Sequence, residues 1–328
     1  RSLLWFLRPS SWGYLLRGHR AVAKMRRAPD RDRAASMLDG VPIAAIALVL
    51  VSSFFHVAWN SLVKTSGDPL ATSTRAVGLG VVAVTPLALL AWLATGRPML
   101  TPEGWLIALA SGIVSAAYFV PLSAAYRRGA LSSVYPVARG SGALLGVLAG
   151  VLILGERLDP VGYLGVALLL GGTLTAALAT ASRATVAPAL LAGCAVAGYS
   201  ALDRVGVRTG PAWLYAWALW SVCAVGLFAW RALLTRRRAI RGDLRPAADA
   251  ADLRRSLVAG LLIIGTYMLI LLAFQIAPLA GVAPLREATT ILAAAWGVIV
   301  LGERERAGVR LAAAVAVGVG AILLAISG

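Results

Sequence analysis

The chain has 328 residues, of which 59% are hydrophobic and only 14% are charged, and its formal net charge is +17. About a quarter of the residues in a soluble domain are charged, so this composition excludes an ordinary soluble protein and predicts an integral membrane protein. The only two cysteines, Cys194 and Cys223, both lie in apolar runs, which excludes a disulfide framework and a cysteine metal site.

Basic residues are concentrated in two stretches of the chain. Residues 1–40 carry nine Lys and Arg against three Asp, and residues 231–255 carry eight Arg against three Asp, so the two supply eleven of the seventeen net charges. Neither stretch fits a nucleic-acid-binding motif, and basic segments beside membrane spans usually face the cytoplasm and anionic lipid. We therefore expect the lipid bilayer, and no nucleic acid, as a partner.

Residues 1–40 differ from the rest of the chain because they mix aromatic residues with scattered Arg and lack an apolar core of signal-peptide quality. We expect a basic N-terminal extension that the membrane bundle does not need. An amphipathic surface segment and a targeting sequence are the alternatives. Met37 stands just before the first strong apolar run.

From Val41 onward the chain consists of apolar runs of about 20 residues, the length that crosses a bilayer core of about 30 Å. We predict an all-α integral membrane protein with ten transmembrane helices, at approximately 41–63, 71–94, 105–126, 131–154, 160–180, 187–206, 212–234, 256–275, 278–301 and 307–327. Turn residues such as those at 67–69 and 96–98 separate the runs. Because most loops are very short, we expect consecutive helices to be antiparallel neighbours.

An internal repeat divides these ten segments into two halves. Residues 130–157 return 147 positions later as residues 277–304, with Arg139 matched by Arg286 and the run Leu-Gly-Glu-Arg closing both copies. Apolar bias alone does not produce such matches, and a duplicated apolar bundle is typical of transporters.

The odd number of spans in each half sends the second copy into the membrane in the opposite sense. We therefore predict two inverted five-helix repeats, at 41–180 and 187–328, with a binding site between them near the midplane. We expect a multi-pass protein of the plasma (inner) membrane. The short loops, counted without residues 1–40, place the Arg-rich loop after span seven inside, whereas those residues favour the opposite orientation.

Arg139 and Arg286 are the strongest functional candidates. Each lies about eight residues into its span, roughly 12 Å deep. An unpaired Arg costs at least ~2.5 to 3.5 kcal/mol there, so both must face the bundle interior, a partner or water. The structural alternative is an Arg that satisfies carbonyl groups around Pro136 and Pro284 or extends to the interface, and the duplication favours a role in a central cavity.

Two further candidates adjoin this pair. Tyr135 lies four residues before Arg139 and so shares its helix face. Glu287 follows Arg286 directly, and adjacent residues on a helix diverge by about 100°, so the two cannot simply neutralise each other. An intramembrane carboxylate is a candidate for proton coupling or for binding an amine, with a structural carboxylate as the alternative.

The first span of each half carries a polar stripe. His56, Trp59 and Asn60 share one face of span one, with Lys64 one turn further along. The corresponding span six offers Tyr199 and Asp203, and the alternative for Asp203 is a pairing with an Arg across the bundle. We also select Tyr118 and Tyr267, whose hydroxyl groups lie inside spans three and eight and need partners.

Two other patterns favour packing over chemistry. Small residues recur every four positions in spans four and nine and predict flat faces for close helix contact: Gly142, Gly146 and Gly150, then Thr289, Ala293 and Gly297. The aromatic residues at the start of span seven predict an interfacial belt: Trp213, Tyr215, Trp217 and Trp220.

Three motifs carry a family resemblance: HVAWN at 56–60 followed by Lys64, YSALDRVGVR at 199–208, and the duplicated LGER. Over residues 41–328 the chain resembles the EamA-like members of the drug/metabolite transporter superfamily. The resemblance implies export or exchange of small metabolites such as amino acids, by alternating access and without ATP.

The leading hypothesis is therefore a secondary transporter of a small polar metabolite, first an amino acid or related compound, with proton coupling as one option. The alternative is an organic-phosphate or nucleotide-sugar exchanger. An enzyme is disfavoured because His19 and His56 are the only histidines and no metal-ligand spacing is present. A non-transporting receptor is the third class. We expect no cofactor, metal or catalytic residue.

Overall fold

A computed structural model describes residues 42–152, 158–179, 182–240, 249–276 and 279–327, and the predicted N-terminal extension lies outside them. The described residues form ten α-helices: α1 (Ile43–Lys64), α2 (Pro69–Ala94), α3 (Pro102–Arg128), α4 (Leu131–Leu152), α5 (Pro160–Ala179), α6 (Arg183–Gly206), α7 (Ala212–Ile240), α8 (Ala250–Ile276), α9 (Leu279–Ile299) and α10 (Ala307–Ser327). Each apolar run coincides with one helix, and their ends differ by at most six residues, at the end of α7 and the start of α8.

Three of the helices begin with the same local chemistry. Asp68, Thr101 and Asp159 stand directly before prolines at the starts of α2, α3 and α5, and each accepts a hydrogen bond from a first-turn backbone N–H at 2.7 to 3.1 Å. The side chain satisfies an N–H that has no partner within the helix, and proline fits there because it lacks one. These short Asp-Pro and Thr-Pro sequences therefore fix where the spans start.

Eight of the ten helices are long and apolar enough to cross a membrane by length and composition, over the part of the chain that the structure describes. The chain is thus an all-helical, multi-pass membrane protein.

The helices pack chiefly across the two halves of the chain. The first-half helix α3 packs on α6 and α7, while the second-half helix α8 packs on α1 and α2; α4 packs on α6, and α9 packs on α1. Adding five to each helix number, and counting on from α10 to α1, converts the pairs α3–α6, α3–α7 and α4–α6 into the pairs α8–α1, α8–α2 and α9–α1. The expectation that consecutive helices are close neighbours is wrong for most pairs. It holds for α4 with α5 and for α9 with α10. By contrast, α1, α2, α3 and α8 each contact the next helix in the chain much less than they contact helices of the other half.

The bundle has two ends, which we call end A, where α1 begins, and end B, where α1 finishes. Helices that alternate in direction place the finish of α3 and α9 and the start of α4, α8 and α10 at end B. Two hydrogen bonds agree with this assignment: Arg255 of α8 donates to the Thr65 carbonyl at end B, at 3.1 Å, and the Thr101 N–H donates to the Thr209 carbonyl at end A, also at 3.1 Å.

Candidate functional site

A small polar cavity lies between α1, α4, α8 and α9. Its lining consists of hydroxyl, imidazole and guanidinium groups: Ser52, Ser53, His56, Tyr135, Arg139, Thr266, Arg286 and Thr289. The space open to the centre of a water molecule is about 10 Å³, which admits about one water. The space among the described side chains therefore has no room for a metabolite in this state.

Arg139 and Arg286 reach this cavity from different helices, α4 and α9. Both positive charges act on the ring of His56, which also faces the cavity from α1. Tyr135, one turn before Arg139, lines the same space. The structure thus brings together four of the residues selected from the sequence, and the side chain of Glu287, a fifth, lies outside the described part of the chain.

Hydroxyl groups link three helices around the cavity. Thr289 of α9 donates to the Ser53 hydroxyl of α1 at 2.7 Å, and Ser52 of α1 donates to the Thr266 carbonyl of α8 at 3.0 Å. None of these four residues is among the site residues predicted from the sequence. A usable signal was present, because Ser52 and Ser53 lie one turn before His56 and Thr289 lies three residues after Arg286, on the same helix faces.

A row of aromatic rings leads from the cavity into the bundle. The His56 ring lies 5.1 Å from the Trp59 ring and 5.8 Å from the Tyr135 ring, centroid to centroid. The row continues along α3 and reaches α6 through the pairs Trp59–Phe119 at 6.0 Å, Tyr118–Phe119 at 5.2 Å and Tyr118–Tyr199 at 5.9 Å. Trp59, Tyr118 and Tyr199 therefore pack beside the cavity and do not line it.

Asp203 is the centre of a second polar cluster, away from the cavity lining. Its carboxylate accepts hydrogen bonds from the Ser111 hydroxyl at 2.5 Å and the Tyr215 hydroxyl at 2.8 Å, and the Tyr267 hydroxyl also hydrogen-bonds to it. Four helices, α3, α6, α7 and α8, meet at this carboxylate. Hydroxyl donors take the place of the Arg that the sequence suggested as its partner, and Arg286 acts on Asp203 through its charge.

Asn60 has a structural place in the first half. The Tyr126 hydroxyl donates to the Asn60 side-chain oxygen at 2.6 Å, and the Asn60 amide donates to the His56 carbonyl at 2.7 Å. Lys64 donates to the Tyr126 carbonyl at 2.8 Å. The polar stripe predicted on α1 is therefore divided, because His56 faces the cavity while Asn60 and Lys64 hold α1 against α3.

The predicted aromatic belt at the start of α7 is wrong for Tyr215. Tyr215 is fully buried and bonds to Asp203, and the Trp217 indole N–H donates to the Thr85 hydroxyl of α2 at 3.0 Å. Polar groups on aromatic rings need partners when buried, and here the bundle supplies them.

Within the predicted glycine face of α4, a β-carbon at Gly142 would touch α6, whereas one at Gly146 would meet nothing within 4 Å.

No group of three metal-ligating side chains occurs among the residues that the structure describes.

Comparison with known proteins identifies the fold alone. No protein-family model matches the chain, and no curated protein matches it. A solved structure described as "Crystal structure of protein" is similar, with a TM-score of 0.56 and 16% sequence identity over 85% of this chain and 96% of that one. The bundle therefore has a precedent of nearly the same extent among solved structures.

Proposed function

We propose that the chain is a secondary transporter that moves a small polar metabolite across the membrane by alternating access. One observation carries the proposal: two guanidinium groups, from α4 and α9, face one small cavity inside a helical membrane bundle. Charged residues at this depth are costly and usually belong to substrate or ion pathways. The cavity now admits about one water, so a solute would enter it only after the surrounding helices move apart.

The proposal includes ten membrane spans in two inverted repeats of the EamA-like type. The exchange of packing partners on adding five to each helix number supports it, because a two-fold axis in the membrane plane would relate the halves in this way. The matched Arg139 and Arg286 support it from the sequence. We retain the plasma membrane as the location.

The solute carries an anionic group in this proposal. The described cavity lining contains two Arg side chains and no carboxylate, so a carboxylate or a phosphate is the complementary group. An amino acid or related compound is our first candidate. The organic-phosphate or nucleotide-sugar exchanger is the second, and the same two guanidinium groups favour it.

The test combines binding with flux. A thermal-shift screen of amino acids, dicarboxylates and organic phosphates on the purified protein identifies a ligand, because a ligand of the folded state raises its stability. Uptake of that ligand is then measured in proteoliposomes. Each guanidinium contact is worth roughly 1.5 to 3 kcal/mol, so Arg139→Gln and Arg286→Gln are expected to weaken binding roughly 10- to 100-fold.

Arg127→Gln is the matched control, because Arg127 is exposed at the end of α3 and is expected to leave flux unchanged. Parental flux in folded Arg139→Gln and Arg286→Gln variants would refute the proposed site. Ligand binding without flux in any solute condition would favour the receptor class instead.

A further inference from the structure

The second copy of the LGER run, residues 301–304, forms a turn at the end of α9. Gly302 has a φ of +69°, in the left-handed region, and the Glu303 N–H donates to the Gly297 carbonyl at 3.0 Å. A β-carbon at Gly302 would meet nothing within 4 Å, so the glycine is needed for its backbone conformation and not for space. The turn reverses the chain and returns Glu303 alongside the last turn of α9.

Glu303 binds the start of α4, a helix of the other half. Its two carboxylate oxygens accept hydrogen bonds from the backbone N–H groups of Leu131 at 2.6 Å and of Ser132 at 2.8 Å. These are the first two residues of α4, whose N–H groups have no partner within the helix and which carry the positive end of the helix dipole. The carboxylate therefore caps α4 from outside, through two short charge-assisted bonds.

A close approach of α9 to α4 makes this cap possible. A β-carbon at Gly297 would contact the Glu303 carboxylate and would lie 3.0 Å from the Ser132 nitrogen. Only glycine leaves room at that point, so Gly297 lets the end of α9 lie against the start of α4. The same two helices carry Arg286 and Arg139 at the cavity.

Other polar contacts close end B around the cap. The Trp296 indole N–H donates to the Ser61 hydroxyl of α1 at 3.2 Å, and the buried Arg310 of α10 donates to the Ser132 hydroxyl at 3.4 Å. Lys64, at the end of α1, interacts electrostatically with Glu303. The cap thus lies at the point where α1, α4, α9 and α10 meet.

We propose that Glu303 is a latch that holds end B closed and must release the start of α4 for the cavity to open to that side. The inference rests on the proposed transport cycle. Opening of end B between α4 and α9 would separate α4 from the α9–α10 turn. Water would then hydrate the backbone N–H groups of Leu131 and Ser132 and the carboxylate of Glu303. An anion bound between Arg139 and Arg286 would draw the same two helices together, which couples occupancy of the cavity to the latch.

The test measures access to the cavity and needs no knowledge of the solute. In a background with Cys194→Ser and Cys223→Ala, Ser53→Cys places one thiol in the cavity lining. A membrane-impermeant thiol reagent is then applied to right-side-out and inside-out vesicles, and the labelling rate is measured from each side.

Glu303→Gln removes the charge from the cap, and Glu303→Asp keeps the charge on a side chain one methylene shorter, so the test does not depend on the folding of one variant. Loss of a helix cap shifts an equilibrium by roughly tenfold. We expect labelling from end B to rise by roughly tenfold in Glu303→Gln and by less in Glu303→Asp. Glu305→Gln is the control, because Glu305 is exposed two residues further along the same turn, and it should label like the parent.

Labelling from end B at the parental rate in folded Glu303→Gln and Glu303→Asp variants would overturn the latch. Such a result would leave the transport proposal standing, since flux and its dependence on Arg139 are measured separately. Conversely, increased labelling from end B in a protein that moves no solute would keep the latch and refute transport.

Discussion

The bond between Tyr215 and Asp203 offers the sharpest quantitative prediction on stability. Tyr215 of α7 is fully buried, and its hydroxyl donates to the Asp203 carboxylate of α6 at 2.8 Å. Tyr215→Phe keeps the ring and removes only that donor. A hydrogen bond to a charged group contributes about 1.5 to 3 kcal/mol. The free energy of unfolding should fall by that amount.

Thermal unfolding in detergent, followed by intrinsic fluorescence, measures this change. At about 2 to 4 °C per kcal/mol, the midpoint should fall by about 3 to 12 °C. Tyr163→Phe is the matched control, because the Tyr163 side chain is 65% exposed on α5 and should give no measurable shift. Combining Tyr215→Phe with Asp203→Asn should destabilise the protein by less than the sum of the two single changes, since both remove the same bond.

An unchanged midpoint in Tyr215→Phe, or additive effects in the double variant, would show that the hydroxyl contributes nothing through Asp203. The carboxylate would then lose its assigned role as the junction of four helices. A pure packing role for the ring would also leave the midpoint unchanged, so the comparison separates the hydrogen bond from the ring.

Two further changes test the packing and the cavity. A β-carbon at Gly260 of α8 would collide with the Ala76 carbonyl of α2. Gly260→Ala should therefore overpack this contact, cost about 1 to 3 kcal/mol of stability and lower the unfolding midpoint. Gly171→Ala is the control, because a β-carbon there would meet nothing within 4 Å, and equal midpoints for the two variants would contradict the contact. Thr289→Val removes the donor to the Ser53 hydroxyl at the cavity and should cost about 1 kcal/mol in the same melting assay, and a stability equal to that of the parent would contradict the bond.

Much of the architecture follows from local sequence rules. Apolar runs of about 20 residues predict where helices lie, and Asp-Pro or Thr-Pro at their starts fixes their first residues, because both effects act within one or two turns of chain. The depth of Arg139 and Arg286 is also readable, since each is counted along its own helix. These features need no knowledge of which helices touch.

The partners of each side chain are not readable in the same way. Tyr215 resembles an interfacial aromatic residue in the sequence, yet it is buried against Asp203 because α6 and α7 turn it inward at end A. Asp203 suggested an ion pair and instead accepts hydroxyl donors from three other helices. Such contacts join residues of different helices, up to 92 positions apart in the chain for Ser111 and Asp203, so no local pattern contains them.

The sequence by itself determined that this chain is a helical membrane protein with an internal sequence repeat that matches Arg139 with Arg286, because hydropathy, span length and the repeat are properties of the chain alone. Tertiary structure alone decided that the two Arg side chains share one cavity, and that Glu303 of one copy caps α4 of the other. The physical reason is that packing across the halves, and not along the chain, brings the two Arg side chains to one cavity and Glu303 within hydrogen-bonding distance of α4.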